Sequence, residues 1–88
     1  MAWTIELSTS AERTLKKLDR QVRRRIADFI DTRLNGTEDP RLVGKSLHGT
    51  LSEFWGYRVG DYRLICELRD NIVTILIVDI GHRSDIYR

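Results

Sequence analysis

The sequence predicts an α+β domain in which a two-helix hairpin packs on one face of a largely antiparallel four-stranded sheet, in the order β-α-α-β-β-β. Three observations predict it. Trp3, Ile5 and Leu7 alternate with polar residues, and strand patterning resumes in three runs from Phe54 onward. Between them, apolar residues recur at helical spacing in two successive stretches. Finally, Gly60-Asp61 is a good two-residue hairpin turn between the first two late runs, and Asp70-Asn71 a weaker but usable turn before the third, which suits an antiparallel meander.

In chain order, Trp3 to Leu7 read as a half-buried strand, and Ser8-Thr9-Ser10 ends it. Thr9 with Glu12 three residues later fits a capping box, so a helix is expected to start there, with Ala11, Leu15 and Leu18 as its apolar stripe. Asp19 can cap a second helix, which buries Val22, Ile26, Phe29, Ile30 and Leu34 and turns Arg23, Arg24 and Asp28 mainly to the other side. Asn35-Gly36 ends it, with Gly36 suited to a left-handed terminal position. Thr37 to Thr50 read as a loop punctuated by Pro40, Gly44 and Gly49, with a short helical turn near Arg41 to Val43. Phe54–Val59, Tyr62–Leu68 and Ile72–Ile80 complete the pattern as strands.

With 88 residues, 41% hydrophobic and 32% charged, residues 1–88 are expected to form one small globular domain with a modest core. No apolar run reaches the ~18 residues of a membrane span, and the N-terminus carries no signal-peptide pattern. The expected address is therefore cytoplasmic, with no membrane partner. The single cysteine, Cys66, cannot form an internal disulfide and sits in a strand pattern, as a buried thiol would. With His48 and His82 as the only histidines, neither a zinc site nor another cofactor is expected. The net charge is +2 and the isoelectric point about 9.0. The run Arg23-Arg24-Arg25 suits a phosphate backbone, though a single charge run more commonly marks a solvated helix face.

The residues with the most chemistry lie on the expected hairpin. A two-residue loop at Gly60-Asp61 pairs Val59 with Tyr62, Arg58 with Arg63, Tyr57 with Leu64, Gly56 with Ile65 and Trp55 with Cys66. One face is then apolar and packs on the helices. The other carries Arg58 and Arg63 side by side, a like-charge arrangement that costs up to ~1 kcal/mol. Such a pair either holds an anion, for which guanidinium forks are well shaped, or finds carboxylates such as Glu53, Asp61 or Glu67. Gly56 on that face leaves a recess or marks a twist. The C-terminal stretch adds His82, which can act as acid or base near neutral pH. It also adds Arg83, which can bind a phosphate, and Tyr87, which can stack on a base. Each has a plainer structural role open to it.

The element order, the stretch Trp55-Gly56-Tyr57-Arg58-Val59-Gly60-Asp61-Tyr62-Arg63, the preceding Lys45-Ser46-Leu47-His48-Gly49 and the ending Gly81-His82-Arg83 through Tyr87 together resemble the RelE/ParE toxin superfamily over essentially the whole chain. The resemblance implies a RelE-like fold and the toxin of a type II toxin–antitoxin system. Such a toxin is a metal-independent endoribonuclease that cuts messenger RNA in the ribosomal A site through attack of a 2′-hydroxyl on the neighbouring phosphate. It implies a RelB-like antitoxin, the ribosome and mRNA as partners, and operator DNA only through the antitoxin complex. By position, Arg63 resembles the phosphate-stabilising arginine, Arg83 the general acid or charge stabiliser, and Tyr87 the base-stacking tyrosine. Where well-studied members carry two lysines before the hairpin, one of them the general base, this chain has Phe54 and Gly56. His82, His48 and Lys45 are the candidates for that role, with Arg58 as an added phosphate contact. ParE-like members share the fold but poison DNA gyrase without nuclease chemistry. An inactive antitoxin-binding and co-repressing module would look much the same in sequence.

Overall fold

The computed structural model describes residues 2–47 and 53–82. The strands are β1 (Thr4–Leu7), β2 (Lys45–Ser46), β3 (Trp55–Val59), β4 (Tyr62–Arg69) and β5 (Thr74–His82), and the helices α1 (Thr9–Lys17) and α2 (Arg20–Phe29). They form one sheet in the order β1-β5-β4-β3-β2, with the helices on one face. The α+β class and the β3–β4–β5 meander are as expected, but the sheet has five strands rather than four. Lys45 and Ser46, inside the stretch read as loop, pair antiparallel with Gly56 and Trp55. Two exposed polar residues carry no alternation for a periodicity reading to find. Strand β1 runs parallel to β5, while the other three pairings are antiparallel.

The first helix is capped by Ser8, not Thr9. The Ser8 hydroxyl accepts from the Ala11 amide at 3.0 Å and donates to the Val78 carbonyl at 2.5 Å. Val78 is the unopposed residue of a bulge, because Ile65 pairs with Asp79 while Cys66 pairs with Ile77. One hydroxyl thus satisfies both a helix start and an irregular strand, which only residue 8, at the end of β1, is placed to do. Asp19 caps α2 as expected, its carboxylate accepting from the Gln21 amide at 3.1 Å. Beyond Phe29 the helix widens into one π-type turn, Ile30–Leu34, closed by Asn35 N–H to the Ile30 carbonyl at 2.8 Å. Gly36 follows at φ +79°.

The β4–β5 connection also departs from expectation. Asp70–Ile72 form a 3₁₀ turn and Val73 sits at φ +51°, so β5 begins at Thr74 rather than Ile72. A left-handed β-branched residue is strained. Here Val73 is held by its amide on the Asp70 carbonyl (3.3 Å) and its carbonyl on the Thr4 amide (3.0 Å). Among the described residues no helix is long and apolar enough to cross a membrane.

Between helices and sheet lie Ala11, Ile26, Leu34, Tyr57, Leu64, Cys66, Ile75 and Ile77, all fully buried. Tyr57 is the largest of them, and its hydroxyl donates to the Pro40 carbonyl at 2.7 Å. Burial raises the pKa of Tyr57 and of Cys66 well above their ordinary values. A raised folded-state pKa gives stability that is complete below the unfolded value and is lost as pH rises towards the folded one. Urea denaturation should therefore show a level unfolding free energy from neutral pH to about pH 8 and a decline above it. Cys66→Ala should flatten the first part of that decline. Tyr57→Phe should flatten the later part and cost ~1–3 kcal/mol at neutral pH, because the Pro40 carbonyl loses its donor.

Candidate active-site cleft

The site is built on the β3–β4 hairpin. Gly60, at φ +60°, takes the first central position of the two-residue loop, where a side chain would be strained. The loop sets the pairing of Val59 with Tyr62, Arg58 with Arg63, Tyr57 with Leu64, Gly56 with Ile65 and Trp55 with Cys66. Alternation then sends Tyr57, Val59, Leu64 and Cys66 to the helices and Gly56, Arg58 and Arg63 to the opposite face. The two arginines are cross-strand neighbours, yet their surroundings differ. Arg58 is exposed, its Nε donating to the Gly60 carbonyl at 3.4 Å. Arg63 is only 7% exposed.

Gly56 accounts for that burial. A Cβ added there would lie 3.2 Å from Arg63 Cδ and 2.7 Å from Leu47 Cδ2. The recess expected at Gly56 is thus occupied by the aliphatic stem of Arg63 and by buried Leu47, which hold the guanidinium in one place. Burial first, and the charge of Arg58 second, push the Arg63 pKa below its ordinary value. Arginine stays protonated, so the site presents a partly desolvated cation beside a like charge.

A third cation is delivered by the segment before β3. Two aromatic side chains of β3 clamp that segment: Tyr57 Oη donates to the Pro40 carbonyl at 2.7 Å, and Trp55 Nε1 to the Val43 carbonyl at 2.8 Å. Gly44 then passes so close to β3, at φ +76°, that a Cβ would lie 2.7 Å from Tyr57 Cδ1 and 2.8 Å from Trp55 Nε1 and against the Gly56 carbonyl. The next residue, Lys45, is the register partner of Gly56, so it emerges on the arginine face. Gly44, Lys45, Gly56, Arg58 and Arg63 line an open cleft of about 220 Å³.

The structure thus brings together Arg58, Arg63 and Lys45. It does not bring His82 to them. His82 pairs with Tyr62, and its ring meets the Tyr62 ring edge-on at a centroid distance of 5.2 Å. Tyr62 has the parity of Leu64 and Cys66, so His82 lies on the helix side of the sheet, at the end of β5. His48, Arg83 and Tyr87 lie outside the described residues. Gly44 and Leu47 shape the cleft but were not legible as site residues. The only local signal was a glycine directly before a lysine. Among the described residues no cluster of His, Cys, Asp or Glu could hold a metal ion.

Comparison with known proteins follows the same lines. Residues 5–87 match the family model described as the ParE toxin of type II toxin–antitoxin systems. The chain is 34% identical over 88 residues to the toxin RelG of Mycobacterium tuberculosis, covering all of this chain and 99% of that protein. Its structure superposes on a chain of the toxin–antitoxin complex RelBE2 of the same organism with a TM-score of 0.82 at 30% identity, covering 94% of this chain and 100% of that one. A chain of the archaeal RelE–RelB complex from Pyrococcus horikoshii shares the fold at a TM-score of 0.72 and 22% identity, covering 96% of this chain and 98% of that one.

Proposed function

The chain belongs to the ParE toxin family as a RelE-like toxin of a type II toxin–antitoxin system, and on that premise we propose that it is a metal-independent endoribonuclease that cuts messenger RNA in the ribosomal A site. The observation that carries the reading is the cleft itself: two arginines and one lysine from three adjacent strands, one arginine buried, around an open space of about 220 Å³. Arg63 and Arg58 hold the non-bridging oxygens. Lys45 takes the proton of the 2′-hydroxyl as the 2′-oxygen bonds to phosphorus. The bond from phosphorus to the 5′-oxygen breaks, and that oxygen takes a proton from solvent water, leaving a 2′,3′-cyclic phosphate and a 5′-hydroxyl.

Lys45 stands in the role that His48 and His82 were also candidates for. Its support is that it lines the arginine cleft, whereas His82 lies on the other side of the sheet. Arg83, two residues after the register partner of Arg63 in sequence, is proposed as the charge stabiliser at the leaving oxygen, and Tyr87 as the stacking residue. Loss of one positioned proton-transfer group costs about 10²–10⁴-fold. Lys45→Ala should therefore slow cleavage by that factor, and Lys45→Arg should not restore it, because a guanidinium cannot serve as a base near neutral pH. The proposed partners are a RelB-like antitoxin, by analogy with the solved complexes, and the translating ribosome.

One observation favours a second reading. The strand before the hairpin carries Phe54 and Gly56 in place of lysines, which suits a gyrase poison that needs no base. The two readings separate in one experiment. A purified translation reaction with a defined message and a gyrase supercoiling reaction are each given the protein. Ribosome-dependent cuts with unaffected supercoiling support the nuclease. Intact message with inhibited supercoiling supports the poison.

A further inference from the structure

Four arginines, Arg20, Arg23, Arg24 and Arg25, fall within six residues of α2. At about 100° per residue they do not line one stripe but encircle the outward half of the helix. Arg20, Arg23 and Arg24 surround a shallow depression of about 290 Å³ floored by Ala27. Arg23 reaches toward α1, its Nη1 donating to the Lys16 carbonyl at 3.4 Å. Arg25 reaches the other way, to the tip of the β3–β4 hairpin, where its Nη1 lies 3.0 Å from the position of a Cβ on Gly60. The carbonyl of that same Gly60 accepts from Arg58 Nε. Two guanidinium groups, one from the helix layer and one from the cleft face, therefore meet at a single hairpin residue.

Among the described residues none of the α2 arginines sits in an ion pair, although Asp28 stands four residues after Arg24. Such a belt repels itself along the helix. At the start of the helix the Asp19 cap is the one acidic group, and the first turn that follows holds none.

We propose that the α2 arginines and Arg58 form one continuous track for an RNA backbone, leading from the cleft around the Gly60 tip and onto the outer surface of α2. The track rests on the reading of the cleft as an RNA site, and it extends that site to phosphates several nucleotides away from the scissile one. An acidic protein segment is the competing occupant of such a surface. The arginine forks match phosphate bidentately, and continuity through Arg58 with the cationic cleft favours the nucleic acid.

The test measures binding without chemistry. A labelled 12-nucleotide 2′-O-methyl RNA, which has no 2′-hydroxyl to attack, is titrated with the protein at several KCl concentrations. The proteins are wild type, a triple Arg20→Gln, Arg24→Gln, Arg25→Gln variant, and the corresponding triple lysine variant, each checked for folding by circular dichroism. Each phosphate contact on a single strand contributes about 0.7 to the slope of log affinity against log salt. The triple glutamine variant should therefore lose about two from the slope and bind at least tenfold more weakly at low salt, while the lysine variant keeps most of both. Wild-type affinity and slope in the glutamine variant would overturn the track. So would a 12-residue polyglutamate peptide binding wild type as tightly as the RNA does. Because the probe cannot be cut, failure here leaves the cleavage assay to judge the cleft on its own.

Discussion

Arg63→Ala is expected to abolish most RNA cleavage, by about 10²–10³-fold in rate, the usual cost of removing one fixed donor aimed at a developing negative charge. The size of the effect follows from burial. Arg63 is held by Gly56 and Leu47, so its guanidinium needs no reorganisation when phosphate arrives. Arg58, exposed on the same face, should cost less when removed. Arg63→Lys should recover little, because it keeps the charge but not the planar fork. Single-turnover cleavage in a translating extract, with thermal unfolding of each variant, separates these effects. A rate within threefold of wild type for Arg63→Ala would remove the arginine from the mechanism.

Gly44→Ala is expected to have the largest effect on stability of any single methyl addition, about 3 kcal/mol or more. Two costs combine there: a left-handed backbone, and a Cβ driven into Tyr57, Trp55 and the Gly56 carbonyl. For a domain of this size that lowers Tm by roughly 12 °C or more. Gly36→Ala is the internal control. Gly36 has a similar φ of +79° but nothing within 4 Å of the added Cβ, so it should cost only about 1 kcal/mol. Differential scanning calorimetry of the two variants measures the steric part alone. Equal shifts would mean that the segment before β2 is not clamped to β3. Because Lys45 follows Gly44 directly, any Gly44→Ala protein that folds should also cleave poorly.

Much of this was legible before any coordinates. The Gly60-Asp61 loop fixed the hairpin register residue by residue, and with it the placing of Arg58 beside Arg63 on the face away from the helices. What escaped was non-local or too short for periodicity. Strand β1 pairs with β5, about seventy residues away, and in parallel. Strand β2 has two polar residues. The Val73 conformation delays β5, because Ile72-Val73 look like the start of a strand while the backbone there is still turning. The same limit applies to the site. Lys45 entered as one of three candidate bases, and only the clamp of Trp55 and Tyr57 on the Pro40–Val43 carbonyls shows why it reaches the arginines. The side of the sheet on which His82 lies depends on the bulge at Val78 and the register beyond it, which no local pattern encodes.

Cleavage at the Arg58–Arg63–Lys45 cleft by internal attack of the 2′-hydroxyl, as proposed, is tested by the chemistry of the new RNA ends formed on translating ribosomes by wild type and by Arg63→Ala. Wild type should give 2′,3′-cyclic phosphate and 5′-hydroxyl ends at A-site codons, formed equally well in excess chelator, and Arg63→Ala almost none. Intact message, or ends bearing 3′-hydroxyl and 5′-phosphate groups, would contradict it.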